Sequence, residues 1–303
     1  MFSTRILSGA TSDRQKNQPK YSILEQAREI NMTYTDANRV NWNDRVKCHH
    51  KSSEVRDLLA KLRCGQSTLT EIETNLLGNI KGKKILHLMC HNGLDSISLA
   101  LKGASVTAID ISEESLKYAR KYAQMLDIKG IEFILGDVHD KLDCINRQFD
   151  VVFITYGVLC WLNDLQKVFS NAAQYLKHRG QLLLIDHHPF LDLLDSQDNE
   201  LKLTGQYFYD PLPEKCICTT SYIGSGQLSN PTTYQWSHNL GHIFEAMITS
   251  GFIIKHFQEY SWIQYKRYPF LIEQEGKYYL PENMTQIPML FSLLASVDAT
   301  TLI

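Results

Sequence analysis

The stretch ILHLMCHNGLDSISLALKGASVTAIDISEESLKYAR, residues 85–120, decides how this chain folds. Residues 85–89 are a short apolar run suited to a buried strand. After a polar turn, Leu94, Ile97, Ala100 and Leu101 recur at helical spacing and are expected to point inward. Residues 105–109 make a second apolar run. Ser112 then stands where a helix cap belongs, with Glu113 and Glu114 in the first turn, where the helix dipole favours acids. Leu116, Ala119, Ala123 and Leu126 follow as one buried face. Strand, helix, strand and helix at this rhythm predict right-handed βαβ units on a parallel sheet.

The rhythm continues outward. Residues 131–135 and 151–154 read as the third and fourth strands. Leu165, Val168, Phe169, Ala172 and Leu176 mark a helix expected to stop at Gly180, and residues 181–185 a fifth strand. From His187 to about Trp236 the pattern is lost, and the segment reads as an insertion. A helix (Leu240, Ile243, Phe244, Met247), closed by Gly251, and a strand over 252–257 restore it. Residues 288–295 suit a last strand. Toward the N-terminus, 22–47 and 53–63 carry helical periodicity. The expected fold class is α/β, a doubly wound and mostly parallel sheet with an N-terminal helical segment and an insertion after strand five. The expected division is a flexible tail at 1–20, a helical cap at 21–80 and a cofactor-binding domain at 81–303, its insertion lying at about 187–236.

Composition narrows the function. Of 303 residues, 44% are hydrophobic and 21% charged, ordinary for a soluble globular protein. A net charge of -2 gives no basic footprint, so nucleic acid is not an expected partner. No apolar run approaches the ~18–20 residues that span a bilayer, so no membrane partner is expected either. The seven cysteines are scattered, and Cys216 and Cys218 have no second pair to complete a zinc site. No metal is expected, and free thiols suit a cytoplasmic location. The first 20 residues, basic with Asp13 as their only acid, read as a tail or a weak targeting segment.

In an open parallel sheet, ligands bind beyond the carboxyl ends of the strands. Three such ends carry suitable chemistry in order. The first is the turn HLMCHNG, residues 87–93, where Gly93 permits close backbone approach. The second is Asp110, which can accept hydrogen bonds from both hydroxyls of a ribose. The third is Gly136-Asp137-Val138, where Asp137 can accept from an adenine amino group.

The 85–120 stretch resembles motifs I and II of class I S-adenosylmethionine-dependent methyltransferases, and most closely a subgroup whose first motif reads LHLxCHxGxD. The likeness extends to TYGVLCWL (155–162) and ILGDVHD (134–140), and more loosely to NRVNW (38–42) and YQWSHNLGHI (234–243). It implies a Rossmann-like fold with S-adenosyl-L-methionine as cofactor, S-adenosyl-L-homocysteine as product and a small molecule as methyl acceptor. It also implies that Met89, His91, Asn92 and Gly93, Asp110 and Ile111, Asp137 and Val138, and Thr155 and Tyr156 bind cofactor, with Trp42 closing over them. His87 stands where the family has an acid for the methionine amino group, leaving backbone carbonyls, Asp95 or the N-terminal segment to make that contact.

Methyl transfer from a sulfonium needs alignment more than a catalytic group; good orientation alone is worth ~7–11 kcal/mol. Tyr156 at the end of strand four can orient the substrate or the sulfur, or simply pack. His187 and His188, ending strand five, are candidate general bases or ordinary loop histidines. Arg45 can pair with a carboxylate, of the cofactor or of Asp44. His87 and His91 read as structural hydrogen-bonders, and His238 as a cap for the helix after it. The aromatics of the insertion, and those of 260–270, suit either a lid or a satellite core. Two rival readings remain open: a non-catalytic binding or scaffold protein with the same fold, and a nicotinamide oxidoreductase, although the latter wants three glycines where this loop has one. The oligomeric state is not legible.

Overall fold

Among the described residues, three helices precede the sheet: α1 (Tyr34–Lys51), α2 (Ser53–Arg63) and α3 (Glu71–Leu77). The chain then alternates β1 (Lys84–Leu88), α4 (Leu94–Leu101), β2 (Ser105–Asp110), α5 (Glu113–Met125), β3 (Ile131–Leu135), β4 (Phe149–Thr155), α6 (Leu165–Tyr175) and β5 (Leu176–His187). Two hairpins follow, β6 (Leu194–Gln197) with β7 (Glu200–Leu203) and β8 (Glu214–Ile217) with β9 (Thr232–Gln235). After α7 (Leu240–Thr249) come β10 (Phe252–Tyr260), the short strands β11 (Trp262–Ile263), β12 (Ile272–Gln274) and β13 (Lys277–Tyr279), and finally β14 (Leu290–Val297). This computed structural model describes residues 33–145, 149–197, 200–224 and 226–297. The expected tail and the first part of the expected N-terminal helix lie outside the described residues.

Seven strands form one sheet in the order β10-β14-β5-β4-β1-β2-β3. The pairs among β1 to β5 are parallel, while β14 runs antiparallel to both β5 and β10. The chain winds outward from β1 to β3, then returns to β4 on the other side of β1. That reversal opens a crevice at the carboxyl ends of β1 and β4, where this class of sheet binds ligands.

Both faces of the sheet are covered, which explains why its strands read as continuous apolar runs. Leu86, Val152, Ile154, Leu182 and Leu184 face the core shared with α6 and α7. The alternate residues Ile85, Val151, Phe153, Leu183 and Ile185 face α3 and the β11–β13 sheet. Ser112 caps α5 by accepting from Ser115 N–H. In α4, Leu99 is buried and Leu101 exposed, because Leu69, Ile72, Leu77 and Ile80, in and around α3, cover the face that periodicity had left outside. Helix α6 ends at Tyr175, not at Gly180: Leu176 already pairs with Phe149 of β4, so sheet pairing overrides the helical pattern. The segment between β10 and β14 folds into its own three-stranded sheet, ordered β11-β13-β12.

Helix α1 is fastened at two places. Asn38 and Tyr234 of β9 exchange hydrogen bonds of 2.8 Å, and Asn41 donates to the Asn230 carbonyl. On the other side, Asn43 Oδ1 accepts from Ser112 Oγ at 2.6 Å, at the N-terminus of α5. The helix thus lies across the crevice and lowers Trp42 and Arg45 toward the β1 loop.

Candidate active site

The loop after β1 is held in an uncommon conformation. Met89 and His91 have φ of 58° and 50°, and Gly93 has 73°. A left-handed non-glycine residue costs about 1–2 kcal/mol, so the loop stores strain that its surroundings must sustain. Three bonds do so: Cys90 N–H to the Ile109 carbonyl (2.9 Å), Gly93 N–H to the Cys90 carbonyl (2.9 Å) and His91 N–H to Asp110 Oδ2 (2.7 Å). Glycine at 93 is required by packing as well as by φ. A Cβ there would stand 2.8 Å from Ala119 Cβ and 3.0 Å from Phe133 Cε1, so its open side faces α5 and β3. Gly93→Ala is expected to destabilise the fold by about 2–4 kcal/mol from overpacking and backbone strain, read by urea denaturation.

Asp110 ends β2. Its Oδ2 takes the His91 amide, and its Oδ1 accepts from Ser112 N–H at 2.9 Å. Burial pushes its carboxyl up to about 6, against the pull of these amides. A carboxylate offers about four acceptor positions, and although the Ile111 amide also acts on this one, capacity remains for a ligand hydroxyl. The Gly136 N–H donates to the Asp110 carbonyl at 3.1 Å, which brings the β3 tip alongside. Asp137 Oδ1 is taken by the amide and ring of His139, at 2.9 and 2.7 Å. Burial works against ionisation there, yet the His139 bonds hold the Asp137 carboxyl below the usual range.

At the β4 tip, Tyr156 donates to Glu73 Oε1 at 2.6 Å, so its hydroxyl is committed to α3. Glu73 is buried, which raises its carboxyl, and its other oxygen closes the capping box with Thr70. Asp95 accepts from Thr68, and burial raises it too. The neighbouring Thr155 Oγ1 is buried without a partner. Asp186, near the end of β5, clamps the loop beyond β4: it accepts from the amides of Gly157, Val158 (3.1 Å), Leu159 (2.9 Å) and His187 (2.7 Å).

His187 packs so close to Gly157 that a Cβ there would meet its ring at 3.1 Å, and its Nε2 is buried without a partner. Burial, aided by the charge of Arg267, lowers its imidazole to about 3. His188 turns elsewhere: Nδ1 accepts from Phe190 N–H (3.1 Å) and Nε2 stands 2.9 Å from Glu259. Its Nε2 is buried facing that carboxylate, away from the β4 tip.

The roof is aromatic and cationic. Trp42 lies 5.3 Å from His91 and 5.3 Å from Trp161, ring to ring. Arg45 is buried, bonded to Asn41 and stacked over Trp42 and Tyr222 at 5.6 and 5.9 Å. Asp44 binds Lys47 and Asn230, so among the described residues Arg45 has no carboxylate partner.

The chain matches the family described as methyltransferase domain over residues 79–247, more than half of its length. It belongs to the methyltransferase domain family. Over 153 residues it is 31% identical to a demethylmenaquinone methyltransferase of Leptospira interrogans, a match covering 49% of this chain and 59% of that protein. It is 32% identical over 105 residues to a ubiquinone biosynthesis O-methyltransferase of Salmonella arizonae, covering 35% and 43%. The chain thus spans roughly two to three fifths of the length of these curated relatives. A crystal structure of an S-adenosylmethionine dependent methyltransferase from Mesorhizobium loti shares the fold, with a TM-score of 0.55 and 21% identity over 74% of this chain and 95% of that one.

In this methyltransferase domain, Met89, His91, Asn92, Gly93, Asp110, Ile111, Asp137, Val138, Thr155, Tyr156 and His187 all sit at one carboxyl edge, with Trp42 above. His87 is buried inside the strand, bonded to Ser96 Oγ at 2.8 Å, and burial lowers it to about 3. His238 does not cap α7, whose N-cap is Asn239; its ring bonds the Leu162 carbonyl at 2.7 Å and stacks on Tyr209. Sequence reasoning passed over Glu73, Asp186 and Arg267. A glutamate inside its own capping box had no local sign of a second partner, whereas an acid at a strand tip was a readable signal for Asp186. Among the described residues no three His, Cys, Asp or Glu side chains gather as metal ligands, and no helix is long and apolar enough to cross a membrane.

Proposed function

We propose that the chain is an S-adenosylmethionine-dependent methyltransferase acting on an oxygen or nitrogen of a small molecule and releasing S-adenosylhomocysteine. One observation carries the reading: Asp110, at a strand tip of a methyltransferase domain, keeps acceptor capacity beside a strained, single-glycine loop. The donor set fits this cofactor. Asp110 takes the ribose hydroxyls, Asp137 Oδ2 the adenine amino group, and Arg45 a carboxylate that would balance its buried charge. Glu73 and Asp95, two buried acids near Tyr156, supply the negative charge missing at His87 for an ammonium group. When bound, the sulfonium supplies a methyl group that needs no further activation.

The protein's own part is alignment and exclusion of water. Tyr156 is a positioning residue, held by Glu73. His187 presents an uncharged imidazole beside the β4 tip, able to accept a hydrogen bond from the hydroxyl or amino group of the methyl acceptor. The LHLxCHxGxD pattern supports membership of the corresponding subgroup. A small acceptor accords with relatives named for menaquinone and ubiquinone compounds and with the net charge of -2.

Titration calorimetry of the purified protein with S-adenosylmethionine is expected to give a one-site isotherm, and turnover is expected with some member of an acceptor panel. Absence of binding overturns the reading; binding of NAD instead would favour an oxidoreductase. Tyr156→Phe is expected to lower kcat about tenfold while changing cofactor affinity less than about threefold, since the lost bond is worth about 1–3 kcal/mol at the reacting end only. Equal loss in both would make Tyr156 a packing residue.

A further inference from the structure

Helix α1 reaches both oxygens of the Asp110 carboxylate, each through one intermediary. On one side, Asp110 Oδ1 accepts from Ser112 N–H at 2.9 Å, and Ser112 Oγ donates to Asn43 Oδ1 at 2.6 Å. On the other, Oδ2 accepts from His91 N–H at 2.7 Å, and the His91 ring stands 5.3 Å from that of Trp42. Trp42 and Asn43 are consecutive in the chain. Two adjacent side chains of α1 therefore brace the two residues that hold the carboxylate.

Every polar atom of the Asn43 side chain is spent on this contact. Its Oδ1 also accepts from Glu114 N–H at 3.3 Å, which adds a second cap to α5 beside that of Ser112. Its Nδ2 donates to Glu113 Oε2 at 2.7 Å, while Arg39, one turn earlier, donates to Glu113 Oε1. Ser112 is fully buried and has a single O–H to give. Removing Asn43 leaves that hydroxyl without its acceptor, in a place that bulk water does not reach.

We infer that Asn43 is a positioning residue for the cofactor: through Ser112 it fixes the carboxylate that takes the ribose, so that docking of α1 and occupancy of the crevice strengthen each other. This rests on the methyltransferase reading above. Such coupling is reciprocal. The factor by which a docked α1 raises cofactor affinity is the factor by which the cofactor favours docking. Asn38 fastens the same helix to Tyr234 on the opposite flank, away from Ser112, and provides the comparison.

Two measurements on the full chain test this. The first needs no ligand and follows hydrogen exchange at the His91 and Ser112 amides, both bonded to Asp110. Asn43→Ala is expected to speed exchange at both by at least about tenfold, and Asn38→Ala by less than about twofold. The second is a double-mutant cycle on S-adenosylhomocysteine affinity, read by calorimetry. Asn43→Ala and Ser112→Ala are each expected to weaken binding about tenfold, and the double variant no more than Ser112→Ala alone. Asn43→Asp combined with Glu113→Gln exchanges donor and acceptor between these two residues and keeps an acceptor for Ser112. That pair is expected to restore affinity to within about threefold of the wild type. Unchanged exchange in Asn43→Ala, equal acceleration by Asn38→Ala, additive losses in the cycle or failure of the rescue overturns the inference. A role in packing alone predicts the last two. If S-adenosylhomocysteine does not bind the wild type, the cofactor reading fails by itself, and the exchange comparison still decides whether Asn43 holds Asp110.

Discussion

Asp110→Ala is expected to abolish S-adenosylmethionine binding in a calorimetric titration. Hydrogen bonds to a charged acceptor contribute about 1.5–3 kcal/mol each, so losing two of them lowers affinity by roughly two to four orders of magnitude. The same substitution frees the His91 and Ser112 amides, which loosens the strained loop at its fixed end. Asp110→Asn keeps the volume and separates charge from shape. The pH dependence has a definite sign. Burial places the Asp110 carboxyl at about 6 in the folded protein, above its ordinary value near 3.8. The folded state therefore holds the proton more tightly than the unfolded chain. Its contribution to stability is fully present below about pH 4 and is lost as pH rises through about 6. Ribose hydroxyls donate to the ionised form, so cofactor affinity should move the opposite way, rising about tenfold between pH 5 and 7 as the ionised fraction grows. Asp110→Asn should flatten that rise. An unchanged affinity in Asp110→Ala would mean that the ribose lies elsewhere.

Asp186→Ala is expected to give a comparably large effect, on stability. The carboxylate is the acceptor for four backbone amides, three of them in the segment that leads from β4 to Trp161. Each buried amide left without a partner costs about 1–3 kcal/mol, partly recovered if water enters, so a loss of about 3–5 kcal/mol in urea denaturation is expected. Asp186→Asn should recover part of it. A variant within about 1 kcal/mol of the wild type would show that the loop is held by its aromatics instead.

What was legible in the chain was local. The strands and helices between residues 84 and 187 announce themselves because burial on both faces of a sheet, and on one face of a helix, repeats at fixed short periods. Asp110 and Asp137 could be placed because a strand tip is a position in sequence as well as in space. The pairing of Tyr156 with Glu73 spans 83 residues, and no periodicity encodes it. Arg267 lies in the connection between β11 and β12, strands of two and three residues, too few for alternation to register. Gly93 was read as permitting close approach of a ligand; only the packing of Ala119 and Phe133 reveals what else it accommodates.

Helix α1 is pinned at Asn43 on one flank and at Asn38 and Asn41 on the other. A beam resting on two piers does not swing like a door on one hinge. Traffic of a nucleoside-sized molecule therefore has to pass underneath it, or wait until a pier gives way. The β8–β9 hairpin, which supplies one of those piers from the insertion, is therefore expected to set how fast the crevice exchanges its contents even though it contributes nothing to the seven-stranded sheet.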